Sequence, residues 1–326
     1  MKQKFVLFIL VAFSNVLVAQ TDADKLKMDK SKILSKMDRF ALAQIRVNYK
    51  LTSTAKTMGQ EKSSGKIAGA KVSAYLSISD GELNDNDFQE VTNYFYNYFQ
   101  KKLKENGIDT VAWVTIAATD FYKNAAKDDE DKEDSKGEKG GNVWVTSIAN
   151  KGNVMSAGHL AFAFGKIKKA ANFCEEIGAP AGFFSLTLDF ADVLINLEVK
   201  STDYQDLGNG WYRPASTKLK YSWAVDPNMG IGLADNTIVL FWNQKSQGES
   251  MFQRKDIMGN VKYADKVSED ESKVKNNFAK LWAFRKEMTP VVVETTKDKY
   301  KAAAKKTLEK FAEAFVDKVN GFKKDK

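Results

Sequence analysis

The chain has 326 residues, a formal net charge of +8, one cysteine and one histidine. A chain of this length buries enough apolar surface to fold without disulfides, and a single cysteine cannot form one internally. One histidine, His159, is too few for a zinc site with two histidine ligands, and no Gly-x-Ser-x-Gly elbow supplies a serine nucleophile. We therefore expect no bound metal, no cofactor and no histidine-based hydrolase.

The first residues have the pattern of a secretory signal. Lys2 and Lys4 precede an apolar stretch over residues 5–13, and Ala19 ends a segment that offers a cleavage point. Residues 1–19 are therefore predicted to be a signal peptide that directs the chain to the periplasm or to the outer-membrane periphery. Beyond them no run of about 18 apolar residues occurs, so we expect no transmembrane helix after signal removal.

Apolar spacing predicts the elements of the first half of the chain. Residues 20–39 are a polar lead-in, and residues 40–322 are predicted to form a single α/β domain. Alternation and helical spacing predict strands at 40–51, 71–79 and 110–117 and a helix over 88–105 that is capped by Asn86 or Asp87. On the first strand, one side is predicted to carry Ala41, Ala43, Ile45, Val47, Tyr49 and Leu51. Residues 127–141 have no apolar side chain and are predicted to be a flexible polar insert.

The second half is predicted to be richer in strands and to end in a helix. We expect strands at 143–149, 184–199, 218–225, 237–242 and 291–293, and helices over 158–176, 270–288 and 297–321. The last helix has the clearest periodicity, with an apolar stripe opposite a face of lysine and glutamate. The predicted fold class is α/β of the α+β type, with a mixed, largely antiparallel sheet packed by amphipathic helices and a long C-terminal helix.

This order of elements resembles the periplasmic domain of the curli-secretion-channel family. The resemblance is carried by strand 72–79, the Asp80-Gly81 turn, the helix that ends at Gly107, strand 110–117, the helix that ends at Ile177-Gly178-Ala179, and the long last helix. It implies an oligomeric envelope component that assembles at the outer membrane. The chain departs from the family because it lacks the acylated N-terminal cysteine, so the resemblance does not extend to anchoring or pore formation. The composition is also similar to that of secreted proteins of the Bacteroidetes group.

Two carboxylates are the candidates for acid–base chemistry. Asp189 and Asp192 interrupt the apolar strand run at 184–199, and paired carboxylates can act without a histidine. On a continuous strand they would point to opposite faces, because they are an odd number of residues apart. They share a site only if the strand is interrupted between them. An edge position for both is the structural alternative.

Aromatic side chains are concentrated between residues 211 and 242. The candidates for gripping a sugar or another small ligand are Trp211, Tyr212, Trp223 and Trp242. Packing between the sheet and its helices is the alternative explanation for the same residues.

Three functions remain compatible with the sequence. The first is a non-enzymatic assembly or interaction component of the envelope, whose partners are envelope proteins, the anionic envelope surface or further copies of the chain. The second is a periplasmic module that binds a glycan or a small ligand. The third is a carboxylate-based hydrolase. Nucleic acid is not an expected partner, because the chain is predicted to leave the cytoplasm.

Overall fold

The computed structural model describes residues 21–60, 67–125, 136–139, 141–152, 164–206, 208, 210, 212–233, 239–245, 248–253, 256–273 and 283–324. The helices are α1 (Asp22–Lys25), α2 (Asp85–Glu105), α3 (Trp113–Ala118), α4 (Asp120–Ala125), α5 (Phe164–Glu176) and α6 (Lys297–Lys324). The strands are β1 (Leu26–Lys27), β2 (Arg39–Gln60), β3 (Ile67–Ile78), β4 (Asp109–Thr110), β5 (Lys136–Lys139), β6 (Asn142–Ile148), β7 (Ala181–Asp189), β8 (Asp192–Asp206), β9 (Tyr212–Asp226), β10 (Gly230–Leu233), β11 (Val239–Trp242), β12 (Gly248–Gln253), β13 (Ile257–Met258), β14 (Lys266–Glu269), β15 (Ala283–Glu287) and β16 (Val291–Thr295). The predicted signal peptide at 1–19 lies outside the described residues.

The strands form one large mixed sheet and a separate two-stranded hairpin. The main path of the sheet runs β1-β12-β11-β7-β2-β3-β16-β14, and the hairpin consists of β8 and β9. Most pairs are antiparallel, while β2 runs parallel to β7, and β3 runs parallel to β15 and β16. With α6 as the long C-terminal helix, the predicted fold class is confirmed.

Helices cover both faces of the large sheet. Helices α2 and α6 pack on one face, where Phe184 of β7 meets Phe315 of α6 in the larger core cluster. Helix α5 contributes Phe173 to a smaller cluster, which also contains Phe183 of β7. Adjacent residues of a strand point to opposite faces, so Phe183 and Phe184 place the two clusters on opposite sides of the sheet. The molecule is therefore layered as helix, sheet and helix.

A bulge in β2 divides its apolar side chains between these two clusters. The register with β7 shifts between Leu42 and Gln44. The β2 residues in the larger cluster are Phe40, Leu42, Ile45, Val47 and Tyr49. Ala41 and Ala43 lie in the smaller cluster. The prediction that the odd positions from 41 onwards share one side is wrong, because the extra residue of a bulge reverses the alternation.

Two further predictions in the first half are corrected by packing. Residues 26–37 are not a detached polar lead-in, because β1 pairs with β12, and five apolar side chains are buried: Leu26, Met28, Ile33, Leu34 and Met37. The cap of α2 is Asn84 rather than Asn86 or Asp87. Its side-chain oxygen accepts hydrogen bonds from the backbone N–H groups of Asn86 and Asp87.

The segment predicted as strand 110–117 is mostly helical. Only Asp109–Thr110 pairs with β2, and the chain then turns into α3. Within α3, Ile116 is buried while Val114 is 73% exposed, which a strand buried between layers would not allow. The Trp113 ring packs edge-on against Tyr96 and Tyr122, and these contacts favour the helical turn.

Local signals also failed at two segments that form strands. Residues 283–287, predicted as the end of a helix, form β15 alongside β3. Residues 136–139 of the predicted flexible insert form β5, which pairs with β6. The remainder of the predicted helix at 274–282 and most of the insert lie outside the described residues. Within the described part of the chain, no helix combines the length and apolar character needed to cross a membrane.

Candidate functional site

A long hairpin projects from the end of β7. Strands β8 and β9 have 15 residues each and pair from Asp192 with Asp226 at the root to Asp206 with Tyr212 at the tip. At about 3.3 Å per residue, each strand extends roughly 50 Å. In the described part of the chain, neither strand pairs with any strand other than its hairpin partner.

The root half of the hairpin is amphipathic. Opposite residues share a face in an antiparallel pair, so one face carries Val193, Ile195, Leu197, Tyr221, Trp223 and Val225. These side chains are half-buried, because β8 lies against β2 and β3. The other face is exposed and polar except for Ala224 and Leu194, whose exposure is 58%.

A polar cavity of about 460 Å³ lies at the root of the hairpin. Its side chains come from β2, from the ends of β7 and β8, and from the segment around β13. Those that carry polar groups are Lys50, Ser53, Thr54, Asp189, Asp192, Asn228 and Asp256. Three carboxylates face one ammonium group, so the lining is negatively charged when the groups are ionised.

Asp189 is the best-anchored carboxylate of the cavity. The Lys50 ammonium donates to its Oδ2 at 2.6 Å, and the Ser53 hydroxyl donates to the same oxygen at 2.9 Å. Its Oδ1 accepts from the backbone N–H of Ala191 at 3.4 Å, across the break between β7 and β8. The carboxylate therefore ties the end of β7 to β2 and to the break that follows it, which is the behaviour of a structural group as much as of a reactive one.

The break between β7 and β8 brings Asp189 and Asp192 into one cavity. The chain leaves the strand at Phe190 and Ala191, and the buried Tyr263 hydroxyl donates a hydrogen bond to the Phe190 carbonyl oxygen. The sequence predicted opposite faces for the two carboxylates because it treated residues 184–199 as one strand. The interruption that would let them share a site is present.

The surroundings of Asp192 and Asp256 disfavour the ionised form of both carboxyl groups. Desolvation raises the pKa of Asp192, and the charges of Asp226 and Asp189 raise it further. Asp256 keeps contact with solvent, yet desolvation by the protein around it and the charge of Asp189 raise its pKa. A carboxyl group with a raised pKa keeps its proton to a higher pH than an ordinary one, which favours a role as a proton donor. Among the described residues, no group of three acidic, histidine or cysteine side chains is arranged to hold a metal ion.

We expect Asp256→Asn to stabilise the fold at pH 7. A carboxyl group whose pKa is raised by folding lowers stability as pH rises from its ordinary pKa through the raised one. Removing that charge should increase the free energy of unfolding at pH 7 by less than about 1 kcal/mol, since solvent still screens the site. The gain should vanish near pH 3, below the ordinary carboxyl pKa of about 3.9. Urea unfolding at both pH values measures this gain in the free energy of unfolding, with Asp29→Asn at an exposed position as the control. Equal gains in both variants would contradict the raised pKa of Asp256.

Lys50, Ser53 and Asp256 were not predicted as members of the cavity. Lys50 could have been recognised from the sequence, because it is a charged residue that follows the apolar half of a long strand. Asp256 could not have been recognised, because only tertiary packing brings its segment to the end of β7. Strand β13 pairs with β10, and β10 pairs with β7.

The predicted aromatic candidates are not gathered at this cavity. Trp211 lies outside the described residues, and Tyr212 starts β9 at the hairpin tip, where its side chain is not described. Trp223 is half-buried on the apolar face of the hairpin. Trp242 is only 3% exposed and packs in the smaller core cluster beside Cys174, whose thiol donates to its carbonyl oxygen at 3.4 Å.

Cys174, the single cysteine, has a structural environment. The side chain is fully buried, and desolvation raises the pKa of its thiol to about 12. A thiol with this pKa is protonated at neutral pH and is a poor nucleophile.

Comparison with known proteins adds no relationship. No family model matches the chain, and neither a curated protein nor a solved structure is significantly similar to it.

Proposed function

We propose that this protein is an exported, non-enzymatic interaction component of a bacterial envelope, and that it binds protein partners through the β8–β9 hairpin. The single observation that carries the proposal is the hairpin itself. Its two strands pair only with each other among the described residues, so both outer edges have no strand partner there.

The physical argument begins with the stability of such a hairpin. A two-stranded hairpin is marginally stable in water unless it packs against other structure. Here β8 lies against β2 and β3, and the apolar face of the root half is half-buried. The outer edges of β8 and β9 present backbone donors and acceptors that a partner strand can pair with. A protein partner, including a second copy of the chain, would satisfy these groups.

Two further features support an extracytoplasmic interaction protein. The N-terminal pattern of Lys2, Lys4 and the apolar stretch at 5–13 is typical of export. The exposed apolar side chain of Leu194 lies on the outward face of the hairpin, where a partner could cover it. The order of elements, apart from the mostly helical segment 110–117, resembles the curli-secretion-channel family and points to the same class of function.

Shortening the hairpin tests the proposal. Replacing residues 200–218 by Asn-Gly keeps the pairs from Asp192–Asp226 to Val199–Leu219 and supplies a favoured two-residue turn. We expect the full chain to be retained in large complexes in its native envelope and the shortened chain to be released as a folded monomer. Size exclusion with light scattering measures the mass, and thermal unfolding verifies the fold. Equal masses for both chains would reject the hairpin as the interaction element.

A point substitution gives a milder version of the same test. Leu194→Asp places a charge on the outward face of the hairpin, and Val114→Asp places one on α3, at residues that are 58% and 73% exposed. Neither change should affect folding by more than about 0.5 kcal/mol. Complex formation should fall about tenfold for Leu194→Asp and stay unchanged for Val114→Asp.

A carboxylate-based hydrolase is the second candidate function. It is favoured by one observation, the presence of Asp189, Asp192 and Asp256 in a single cavity in which two of the groups have raised pKa values. Hydrolysis of an envelope glycan that is lost in Asp192→Asn and Asp256→Asn, while both variants remain folded, would establish it. Full turnover in both variants would remove it.

A further inference from the structure

A second cavity lies at the opposite end of the strands that lead to the hairpin. It has a volume of about 450 Å³ and is lined by Lys32, Ile33, Lys36, Met37, Asp38, Arg39, Pro180, Asn243, Gln244 and Lys245. Four of these side chains are cationic, and Asp38 is the only carboxylate in the lining. The cavity is therefore positively charged, in contrast to the negative cavity at the hairpin root.

Most of this positive charge is not neutralised by neighbours. In the described part of the chain, Lys32, Lys36 and Lys245 have no carboxylate within ion-pair distance. Arg39 approaches Asp109 with 3.6 Å between Nε and Oδ2, and both side chains are about half exposed or more. Arg39 thus retains guanidinium donors for another anion. Cations gathered in a concave surface raise the local concentration of anionic ligands.

The backbone that carries these cations is held in place. The Glu249 side chain accepts hydrogen bonds from the backbone N–H groups of Lys32 and Ile33, at 2.8 Å and 3.3 Å, and from the Ser31 hydroxyl. Ile33 and Met37 are buried beneath the same wall. On the opposite wall the Lys245 N–H donates to Asn243 Oδ1 at 3.0 Å, which orders the turn after β11. Fixed walls reduce the entropy that a ligand must overcome on binding.

We propose that this cavity is a binding site for a phosphate-bearing ligand. The three ammonium groups, which have no ion-pair partner among the described residues, and the Arg39 guanidinium group suit a phosphate, because its several oxygens can accept hydrogen bonds from more than one cation. The half-buried Pro180 is the apolar side chain of the lining that can contact the remainder of a phosphate ester. The phosphate group can belong to a soluble ester or to the headgroup of an envelope lipid, and the chemistry at the cavity is the same.

The site is separate from the proposed interaction hairpin. Strands β2 and β7 run in parallel, pairing Ala41 with Ala181 near the cationic cavity and Tyr49 with Leu188 near the hairpin root. At about 3.3 Å per residue, the 11 residues from Arg39 to Lys50 span roughly 35 Å. Ligand binding at one end can therefore be tested without disturbing the other.

The test uses two triple variants of equal charge. The cavity variant is Lys32→Gln, Lys36→Gln and Lys245→Gln. The control is Lys104→Gln, Lys262→Gln and Lys266→Gln, at exposed lysines away from the cavity. Titration calorimetry at low salt measures binding of inorganic pyrophosphate, and co-sedimentation measures binding to phosphatidylcholine vesicles with and without phosphatidylglycerol. Thermal unfolding verifies each fold, and Lys245→Gln alone serves if the triple variant does not fold.

We expect the parent and the control to bind, and the cavity variant to bind about tenfold more weakly or worse. Loss of pyrophosphate binding confined to the cavity variant supports a soluble phosphate ester. Loss of anionic-vesicle binding alone, confined to the same variant, supports a lipid headgroup. Absence of both activities in the parent, or equal loss in the two triple variants, overturns the proposal, since binding would then reflect only the overall charge.

Discussion

Phe184→Ala is expected to lower the free energy of unfolding by about 3–5 kcal/mol, the range for removing a large buried aromatic side chain. Phe184 is fully buried, and its ring contacts five others with centroid separations of 5.2–6.5 Å: Phe40, Phe99, Phe241, Phe311 and Phe315. These rings come from β2, α2, β11 and α6. Because they are attached to four separate elements, they cannot close together over the cavity that alanine would leave.

Urea unfolding of the parent and the variant measures this loss, with Phe252→Ala as the matched control. Phe252 lies on β12 and is 50% exposed, so its truncation should change stability by only about 0.5 kcal/mol. Similar losses at both positions would mean that the aromatic cluster is not the stabilising centre of the fold.

Asp189→Ala is expected to lower the free energy of unfolding by about 2 kcal/mol. The change removes the acceptor of the Lys50 ammonium group and of the Ser53 hydroxyl, at 2.6 Å and 2.9 Å. Leaving a hydrogen-bond donor without an acceptor in a partly buried site lowers the free energy of unfolding by about 1–3 kcal/mol. The side chains of Lys50 and Asp189 are 23% and 17% exposed, so water recovers part of that loss.

A double-mutant cycle isolates the Lys50–Asp189 pair from the rest of the cavity. We expect Lys50→Ala and Asp189→Ala to be coupled by about 1 kcal/mol, because both single changes break the same contact. The exposed Lys101–Glu105 pair, with side chains 69% and 44% exposed and 3.6 Å between Nζ and Oε1, should show no measurable coupling, because water screens both charges. Additive effects at Lys50 and Asp189 would contradict the anchoring role assigned to this carboxylate.

The candidate carboxylates show how far reasoning from the sequence could go at the site. Asp189 and Asp192 were recognisable because they interrupt an apolar run. Their relative direction was not, because it depends on the break at Phe190 and Ala191, which Tyr263 stabilises from more than 70 residues away in sequence. The cationic cavity could not be predicted from the sequence for the same reason. Lys32 and Lys245 line one cavity only because β1 and β11 belong to the same sheet.

Close packing imposed a further requirement that no pattern in the chain indicated. A Cβ atom added at Gly182 would lie 2.4 Å from the Phe40 ring and 2.8 Å from the Phe184 ring. Real Cβ contacts are longer, so a side chain at this position would displace the aromatic core. The need for glycine arises from two rings that different strands bring together.

Helices α2 and α6 and strands β3, β6 and β16 lie close to where the periodicity of the sequence predicted them, because local spacing is enough to specify them. Helix formation and alternation depend on neighbours within one or two turns, so such signals can be read along the chain. Four features could not be predicted without the tertiary structure. They are the face reversal in β2, the pairing of β5 with β6 and of β15 with β3, the hairpin root and the two charged cavities. Except for the pairing of β5 with its neighbour β6, each of these depends on hydrogen bonds or packing between residues far apart in sequence, and no local pattern records such contacts.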